Sequence, residues 1–528
     1  MKIGTARDVR RLDEAVIAEY GVGQAVLMEN AAIAARDVVA RRWGIADRDI
    51  LVVCGTGNNG GDGFALARLL YARGAAVTIL ATGEVDRMSG AAADNAAIAG
   101  RLPLEILRLE SAPRPPILDR HDFERYDLIV DALFGTGLSR DVDGRYAQLI
   151  RRLNDVRPPI LALDLPSGID ADTGEVLGCA VRADATVSFG IPKRGNLLYP
   201  GFEHGGVLFH SEISFPPEVT GDESLDTSVN IPPDPPPRSP SGHKGSFGKI
   251  LIVGGSASYR GAPTLAAAAA LKSGAGYARL AVPAELVPQI FPLVPEAVFL
   301  PQEGGGSLGA EHLPDLLDQA EAADALVLGP GLSTAPESIR LARDLTAAAK
   351  APLLIDGDGL SAVAGREELL RDRNEPVVLT PHPGEMARLL GSSIREVEAR
   401  RIDTAREAAE RYGAVVVLKG AHTVIAEPGG GSWINLTGNS GMGTAGSGDI
   451  LAGVAGTLLA AHRSFEGGSA DAARLAVHLH GLAGDLAAEE LGERSMTGGD
   501  ILRFLPGSFR VFRRRLGEDP FSGKIRPV

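Results

Sequence analysis

Short apolar runs alternate with longer stretches of helical periodicity along most of the chain, and this alternation predicts two successive α/β sheets. In the first 215 residues, helical patterns at 6–20, 24–43 and 64–72 are interleaved with apolar runs at 49–54, 76–81, 127–131, 160–164 and 185–189. Runs this short and uniformly apolar suit parallel strands that are covered on both faces. The same grammar resumes after residue 242. Strands are predicted at 249–253, 277–282, 325–328, 352–355, 377–379 and 415–418, and helices at 263–272, 337–349, 385–390 and 395–412. A long helical region follows from about 447 to 490. The expected fold class is α/β, with two three-layer α/β domains.

Between them the pattern stops. The segment FPPEVTGDESLDTSVNIPPDPPPRSPSG is rich in proline and poor in large apolar side chains, so it adds little core. It sets a linker at 216–242 and domains at 1–215 and 243–528. Composition narrows the function classes. A net charge of −14 argues against general nucleic-acid binding, which needs a basic face. It leaves room for an anionic ligand, because backbone N–H groups bind phosphate inside an acidic protein. Cys54 and Cys179 stand far apart and form no C-x-x-C pair, which fits a reducing cytoplasm and gives no zinc motif. Residues 1–17 carry charges of both signs and do not read as a signal peptide. No uncharged run reaches the roughly 18 apolar residues of a membrane span.

Candidate chemistry gathers where predicted strands end. After the run at 49–54 comes Gly55-Thr56-Gly57-Asn58-Asn59-Gly60-Gly61-Asp62-Gly63. Gly55, Gly57 and Gly60 satisfy G-x-G-x-x-G between a strand and a helix, the fingerprint of dinucleotide binding. A cofactor turn needs neither two adjacent asparagines nor an aspartate at the helix mouth, and Asp62 alone also reads as a helix cap. Two more loops belong to the same sheet end: Val130-Asp131-Ala132-Leu133-Phe134-Gly135-Thr136-Gly137 and Leu163-Asp164-Leu165-Pro166-Ser167-Gly168-Ile169-Asp170. Asp131, Asp164 and Asn59 form an oxygen-only donor set, which favours hard cations over zinc or copper. Ser167 sits in P-S-G, not in the G-x-S-x-G of a hydrolase nucleophile.

Taken together, GNNGGDGFALARLL, VDALFGTGL and LDLPSGID resemble the NAD(P)H-hydrate epimerase family over most of residues 1–215. The resemblance implies a Rossmann-like domain with substrate contacts at Asn58, Asn59, Gly60, Gly61 and Asp62, at Gly135, Thr136, Gly137, Leu138, Ser139, Arg140 and Asp141, and at Asp164. It implies a potassium ion near Asn59, Asp131 and Ser167. The family substrate carries a hydroxyl and the ring nitrogen on one carbon, C6. Inverting that carbon requires proton transfer at the oxygen, for which Asp164 is the candidate acid/base.

The second half holds the longest motif, Asn439-Ser440-Gly441-Met442-Gly443-Thr444-Ala445-Gly446-Ser447-Gly448-Asp449-Ile450-Leu451-Ala452-Gly453. Gly446, Ser447 and Gly448 leave N–H groups bare at a helix start, a ready anion site. A carboxylate there, Asp449, is unfavourable beside phosphate unless it takes a proton from an attacking hydroxyl. Upstream, Lys419 joins two strands and suits phosphate charge, although a hairpin lysine on the surface is the plainer reading. His382, between two prolines, is held stiffly.

HKGSFGKILIVGGS, GPGL, LTPHPGEMARLL, LKGAHT and GTAGSGDILAG resemble the ribokinase-like superfamily, in its NAD(P)H-hydrate dehydratase branch, over most of residues 240–510. The resemblance implies nucleotide contacts at Lys419, Gly420, Ala421, His422, Thr423 and Gly448. Hydrate contacts are implied at Ala262, Gly331, His382 and Asp449, with Asp449 catalytic. Ser440 and Gly443 depart from the expected proline and alanine, which loosens the loop on paper. ADP is the expected co-substrate, with ATP as an alternative, and magnesium rides on the phosphates without an assignable ligand. The implied partners are hydrated NADH and NADPH, with a homo-oligomeric assembly and no membrane or nucleic-acid partner. Two readings compete: a small-molecule kinase of the hydroxymethylpyrimidine or thiazole type with an accessory domain, and a first half that only binds. A plain dehydrogenase leaves the second nucleotide site unexplained.

Overall fold

The computed structural model describes residues 1–528. The chain forms two compact units, Met1–Ser228 with Gly523–Val528, and Val229–Ser522.

The first unit is built on a parallel sheet of eight strands, seven of which are β1 (Asp49–Cys54), β2 (Ala76–Ala81), β3 (Glu105–Arg108), β4 (Leu128–Ala132), β5 (Ile160–Leu163), β6 (Ala185–Phe189) and β7 (Val207–Ser211). Their spatial order is β3-β2-β1-β4-β5-β6-β7. Side chains of β1 alternate between two cores. Ile50 and Val52 pack with the helix Gln24–Arg42 on one face, while Leu51 and Val53 pack with the helix Gly144–Asn154 on the other. That is why the strand reads as an unbroken apolar run. The chain leaves β1 in one direction for β2 and β3, then returns to β4 on the opposite side of β1. Such a switch point opens a crevice beyond the carboxyl ends of the two strands.

Three features differ from the sequence expectation. The helix predicted to start at 64 begins at Asn58, so half of the glycine-rich loop is helical (α1, Asn58–Tyr71). Strands β3 and β7 were not expected. Neither was the strand Ile525–Pro527, which pairs in parallel with β7, Ile525 opposite Leu208. The last six residues therefore belong to the first compact unit rather than to a domain running 243–528. Within the proline-rich segment, Val219 and Leu225 are buried against Val9 and Leu12 of the helix Ala6–Ala18, so the first unit extends past residue 215.

The second unit carries β8 (Lys249–Val253), β9 (Tyr277–Pro283), β10 (Val298–Gln302), β11 (Ala325–Leu328), β12 (Leu353–Ile355), β13 (Val377–Leu379), β14 (Val415–Leu418), β15 (Val424–Ala426) and β16 (Ser432–Ile434). Their order is β16-β15-β14-β13-β12-β11-β8-β9-β10, parallel from β14 to β10 and antiparallel at β14-β15-β16. The predicted helix at 395–412 is two helices, Ile394–Ala399 and Arg401–Tyr412. The region at 447–490 is also two: α2 (Ser447–Ala460) and α3 (Gly468–Leu491). A further helix, Gly498–Glu518, was not anticipated. The alanine-rich run at 264–271 lies in the helix Gly261–Lys272, which packs closely on α2: a Cβ on Gly453 would fall 2.1 Å from the Ala266 carbonyl oxygen. Small residues there serve helix contact. No helix is long and apolar enough to cross a membrane.

Two candidate active sites

In the first unit the loops after β1, β4, β5 and β6 meet at the sheet's carboxyl end. The loop Gly55–Asn58 turns tightly: a Cβ on Gly60 would lie 2.0 Å from the Gly55 carbonyl oxygen, so only glycine fits. Asn59, in the first turn of α1, donates through Nδ2 to the Phe134 carbonyl at 2.9 Å. Its Oδ1 is buried with no hydrogen-bond partner. Asp131, fully buried at the end of β4, accepts from Ser167 Oγ at 2.6 Å, Ser167 N at 2.8 Å and Leu133 N at 3.2 Å. Burial nevertheless pushes its carboxyl up to about 6 against those three bonds. Ser167 Oγ also accepts from Phe134 N at 2.8 Å. Asn59, Asp131 and Ser167 are thus joined around Phe134, as the sequence motifs imply. Gly135 lies against Asn59, its would-be Cβ 3.2 Å from the Asn59 Cβ. Leu138 packs on the adjoining core, while Gly137, Ser139, Arg140 and Asp141 line an exposed rim and Thr136 is half-buried. Asn58 is exposed and accepts from Gln24 Nε2 at 3.3 Å.

Asp164 follows β5 with a left-handed φ of 67°, a conformation that a non-glycine residue holds only when its surroundings fix it. They do so here. Its N–H donates to the Val187 carbonyl at 2.7 Å, and its own carbonyl accepts from Asn196 Nδ2 at 3.1 Å. Its carboxylate pairs with Lys193, a lysine 1% exposed that also donates to the Phe189 carbonyl at 2.8 Å. Two more acids share this pocket. Burial, with the charges of Asp164 and Asp13 adding to it, holds the Asp62 carboxyl well above the ordinary aspartate range. Burial raises Asp13 to about 6, with Lys193 opposing and Asp164 adding. One buried cation therefore serves three carboxyl groups. Sequence reasoning missed Lys193 and Asp13. The signal for Lys193 was present: it stands in a loop after a predicted strand, at the ligand end.

The second unit assembles its site in the same manner. Asp449 lies in the first turn of α2, behind Gly446, whose φ is 91°. A Cβ on Gly448 would sit 3.6 Å from Lys419 Nζ, so the anion-binding turn and the β14-β15 hairpin converge. Lys419 Nζ reaches Asp356 Oδ1 at 2.8 Å and Glu385 Oε2 at 3.6 Å. Burial works against its ammonium, yet those two carboxylates outweigh it and hold the pKa above the ordinary lysine value. Burial, reinforced by the Asp356 charge and opposed by Lys419, raises Asp449 to about 7. Thr380 Oγ1 donates to Asp356 Oδ1 at 2.6 Å. His382 caps the helix Pro383–Leu390, Nδ1 accepting from Gly384 N at 3.0 Å, and its side chain is half exposed. Gly331 and Ala262 are neighbours: a Cβ on Gly331 would lie 2.7 Å from the Tyr259 carbonyl oxygen and 3.1 Å from the Ala262 Cβ. In the hairpin, Gly420 and Ala421 are exposed, His422 is buried and Thr423 Oγ1 donates to the Gly420 carbonyl at 3.1 Å. Buried Arg401, which the sequence did not single out, donates to the carbonyls of Leu418 and Lys419 at 3.2 and 3.1 Å and anchors the hairpin's base. Ser447 Oγ lies 3.4 Å from Nε2 of buried His480.

Residues 24–195 match a family described as the YjeF-related protein N-terminus, and residues 250–506 match the NAD(P)H-hydrate dehydratase family. The bifunctional NAD(P)H-hydrate repair enzyme of Thermofilum pendens is 42% identical over 517 residues, covering 97% of each chain. That of Moorella thermoacetica is 39% identical over 96% of each chain. An ADP/ATP-dependent NAD(P)H-hydrate dehydratase from Bacillus subtilis is 33% identical, covering 52% of this chain and 94% of its own, with a TM-score of 0.46. Relatedness along almost the whole length, with both motif sets folded into converging loops, places this chain in the family of bifunctional NAD(P)H-hydrate repair enzymes.

Proposed function

We propose that the first unit interconverts the R and S forms of hydrated NADH and NADPH at C6, and that the second dehydrates the S form at the expense of ADP. The observation that carries the second step is the place of Asp449, in the first turn of α2 where a Cβ on the adjacent Gly448 would lie 3.6 Å from Lys419 Nζ, with its carboxyl raised to about 7. Hydroxide is a poor leaving group. Asp449 takes the proton of the C6 hydroxyl, and the oxygen attacks the terminal phosphorus of ADP, releasing AMP. The C6–O bond of the phosphate ester then breaks, pushed by the ring nitrogen, and phosphate departs. Loss of a C5 proton restores the double bond. Lys419, with Gly420 to Thr423, Gly448 and the α2 N-terminus, holds the phosphates. Ala262, Gly331 and His382 contact the hydrate. Asp356 and Glu385 surround the single Lys419, and the charges of Asp356 and Asp358 both act on Asp449, so a polyphosphate needs further positive charge. A magnesium ion carried in on the phosphates would offset their charge, held by the phosphates themselves, since no cluster of acidic side chains is grouped to hold a metal ion alone. In the first unit, Asp164, steered by Lys193, moves the proton at the C6 oxygen, with Asn58 to Asp62 and the loop from Gly135 to Asp141 around the substrate.

The unpartnered Asn59 Oδ1 and the buried Asp131 fit a potassium ion, with Ser167 completing the oxygen set. It would offset the Asp131 charge beside the substrate. Calorimetry is expected to show potassium, but not lithium, raising the first melting transition, and Asn59→Leu abolishing the effect. Asp131 is ionised only above about 6, so the stabilisation should be full above that pH and fade below it.

The test of the whole reading is recovery of dihydronicotinamide absorbance from chemically hydrated NADH with magnesium and either ADP or ATP. Complete, nucleotide-dependent recovery of both epimers is expected. Recovery that halts once the S form is consumed would leave the first unit a binding module, and a stable phosphorylated product would favour the kinase reading. The same reading sets the enzyme in a reducing cytoplasm, consistent with its two free cysteines, and as a homo-oligomer, for which the half-exposed or more exposed Phe291 and Leu293 offer an apolar surface.

A further inference from the structure

The phosphate-binding turn is the end of a longer segment that lies flush on α3. The carbonyl of His478 accepts from Thr437 Oγ1 at 3.0 Å. Gly481 gives Thr437 its room, since a Cβ there would fall 2.3 Å from Thr437 Oγ1. Gly484 does the same for Met442, with a would-be Cβ 2.3 Å from Sδ. At the next position along α3, Asp485 takes hold of the backbone: Oδ2 accepts from Gly438 N at 2.9 Å and Oδ1 accepts from Asn439 Nδ2 at 3.0 Å. Asn439 relays this hold forward, its Oδ1 accepting from Gly441 N at 3.0 Å. Ser440 Oγ donates to Glu493, just beyond α3. The serine that departs from the expected proline is thereby tied down by a side chain instead of by a ring.

We infer that Asp485 and Asn439 form a positioning pair that sets the phosphate-binding turn Gly446–Asp449 from behind, through α3. The inference rests on the reading of that turn as the dehydratase phosphate site. The roles of the pair are fixed by chemistry. Asp485 must accept twice, whereas Asn439 must donate to Asp485 and accept from Gly441. Neither side chain needs to touch substrate. What they determine is where the segment starting at Gly438 enters the turn, and a misplacement of catalytic groups by about 1 Å costs on the order of a hundredfold in rate.

The logic of donors and acceptors supplies its own test. Asp485→Asn sets two amides against each other; if Asn439 turns to receive the new one, Gly441 N loses its acceptor. Asn439→Asp sets two carboxylates face to face. In the double exchange N439D/D485N, the amide now at 485 accepts from Gly438 N and donates to the carboxylate at 439, whose other oxygen accepts from Gly441 N. The three bonds described above are restored, and only the one between the two side chains runs in the opposite direction. In the full-length enzyme, with ADP as the probe, each single variant is expected to lower dehydratase kcat roughly tenfold or more, with a smaller change in KM for ADP and epimerisation unchanged. The double variant is expected to return to within about threefold of the parent. Single variants that run at the parental rate, or a double variant no faster than the slower single, would overturn the inference. Should a single variant be unstable, the double exchange alone decides by its recovery. Asp449→Asn is measured alongside. If it retains full dehydratase activity, the reading of the turn itself fails, an outcome distinct from failure of the pair.

Discussion

Replacing Asp449 by asparagine is expected to lower the dehydratase rate by about 10²- to 10⁴-fold while epimerisation of hydrated NADH continues. Asparagine keeps the size and the place in the first turn of α2 but accepts no proton. The C6 hydroxyl then reaches the phosphorus as a neutral, weak nucleophile. The comparison is made on one preparation, by following NADH recovery and epimer ratio together. Parental activity in both assays would remove Asp449 from the mechanism. The pH dependence follows from the same environment. A general base works only when deprotonated, and burial with Asp356 nearby holds this carboxyl at about 7. The dehydratase kcat/KM is therefore expected to fall as pH drops through about 7 and to level off above it. Lys419 opposes the rise, so Lys419→Met should move the acid limb to higher pH.

The second large effect lies in the other unit. Asp164→Asn is expected to slow epimerisation by about 10²- to 10⁴-fold. With the dehydratase intact, NADH recovery from a mixture of epimers should stop once the S form is gone, apart from spontaneous interconversion. Lys193→Met should do the same and also cost about 3–5 kcal/mol of stability, because it leaves the carboxylate of Asp164 without its buried partner and removes the cation whose charge opposes the raised Asp13 and Asp62. The two variants therefore separate by denaturant titration as well as by rate. If Lys193→Met melts like the parent, the pair contributes far less than its burial implies.

The strands that carry chemistry were legible in the sequence because they are buried on both faces and bounded by glycine, aspartate or proline; β1, β5, β8 and β13 are examples. Edge strands were not. β3 and β10 are largely exposed, so they lack the continuous apolar run that marks the interior strands. Candidate residues in motifs at strand ends, such as Asn59, Asp131, Asp164 and Asp449, could be named from local pattern, and Ser167 only through the family resemblance. Asp13, Arg401, His480 and Asp485 could not, and Lys193 had only its place in a loop after a predicted strand to mark it. Each acts on a residue distant in sequence, and a lone lysine or aspartate in a helix or loop looks like an ordinary solvated charge. The start of α1 was misplaced for a related reason. Gly60, Gly61 and Gly63 are poor helix formers, and only the close approach of neighbouring backbone and side chains makes them the residues that fit.

The strand Ile525–Pro527 covers the outer edge of β7, and Val528 packs beside it against the core of the first unit. In the order of synthesis, this unit is thus begun first and completed last. A ribosome must build all of the second unit before releasing the six residues that pair with β7, a strand that ends some three hundred residues earlier. Until then the backbone groups of β7 that do not face β6 stand unpaired, an edge open to other strands. Anyone who separates the two activities by cutting after residue 228 removes that cover, whereas appending the tail to the shortened chain would return it.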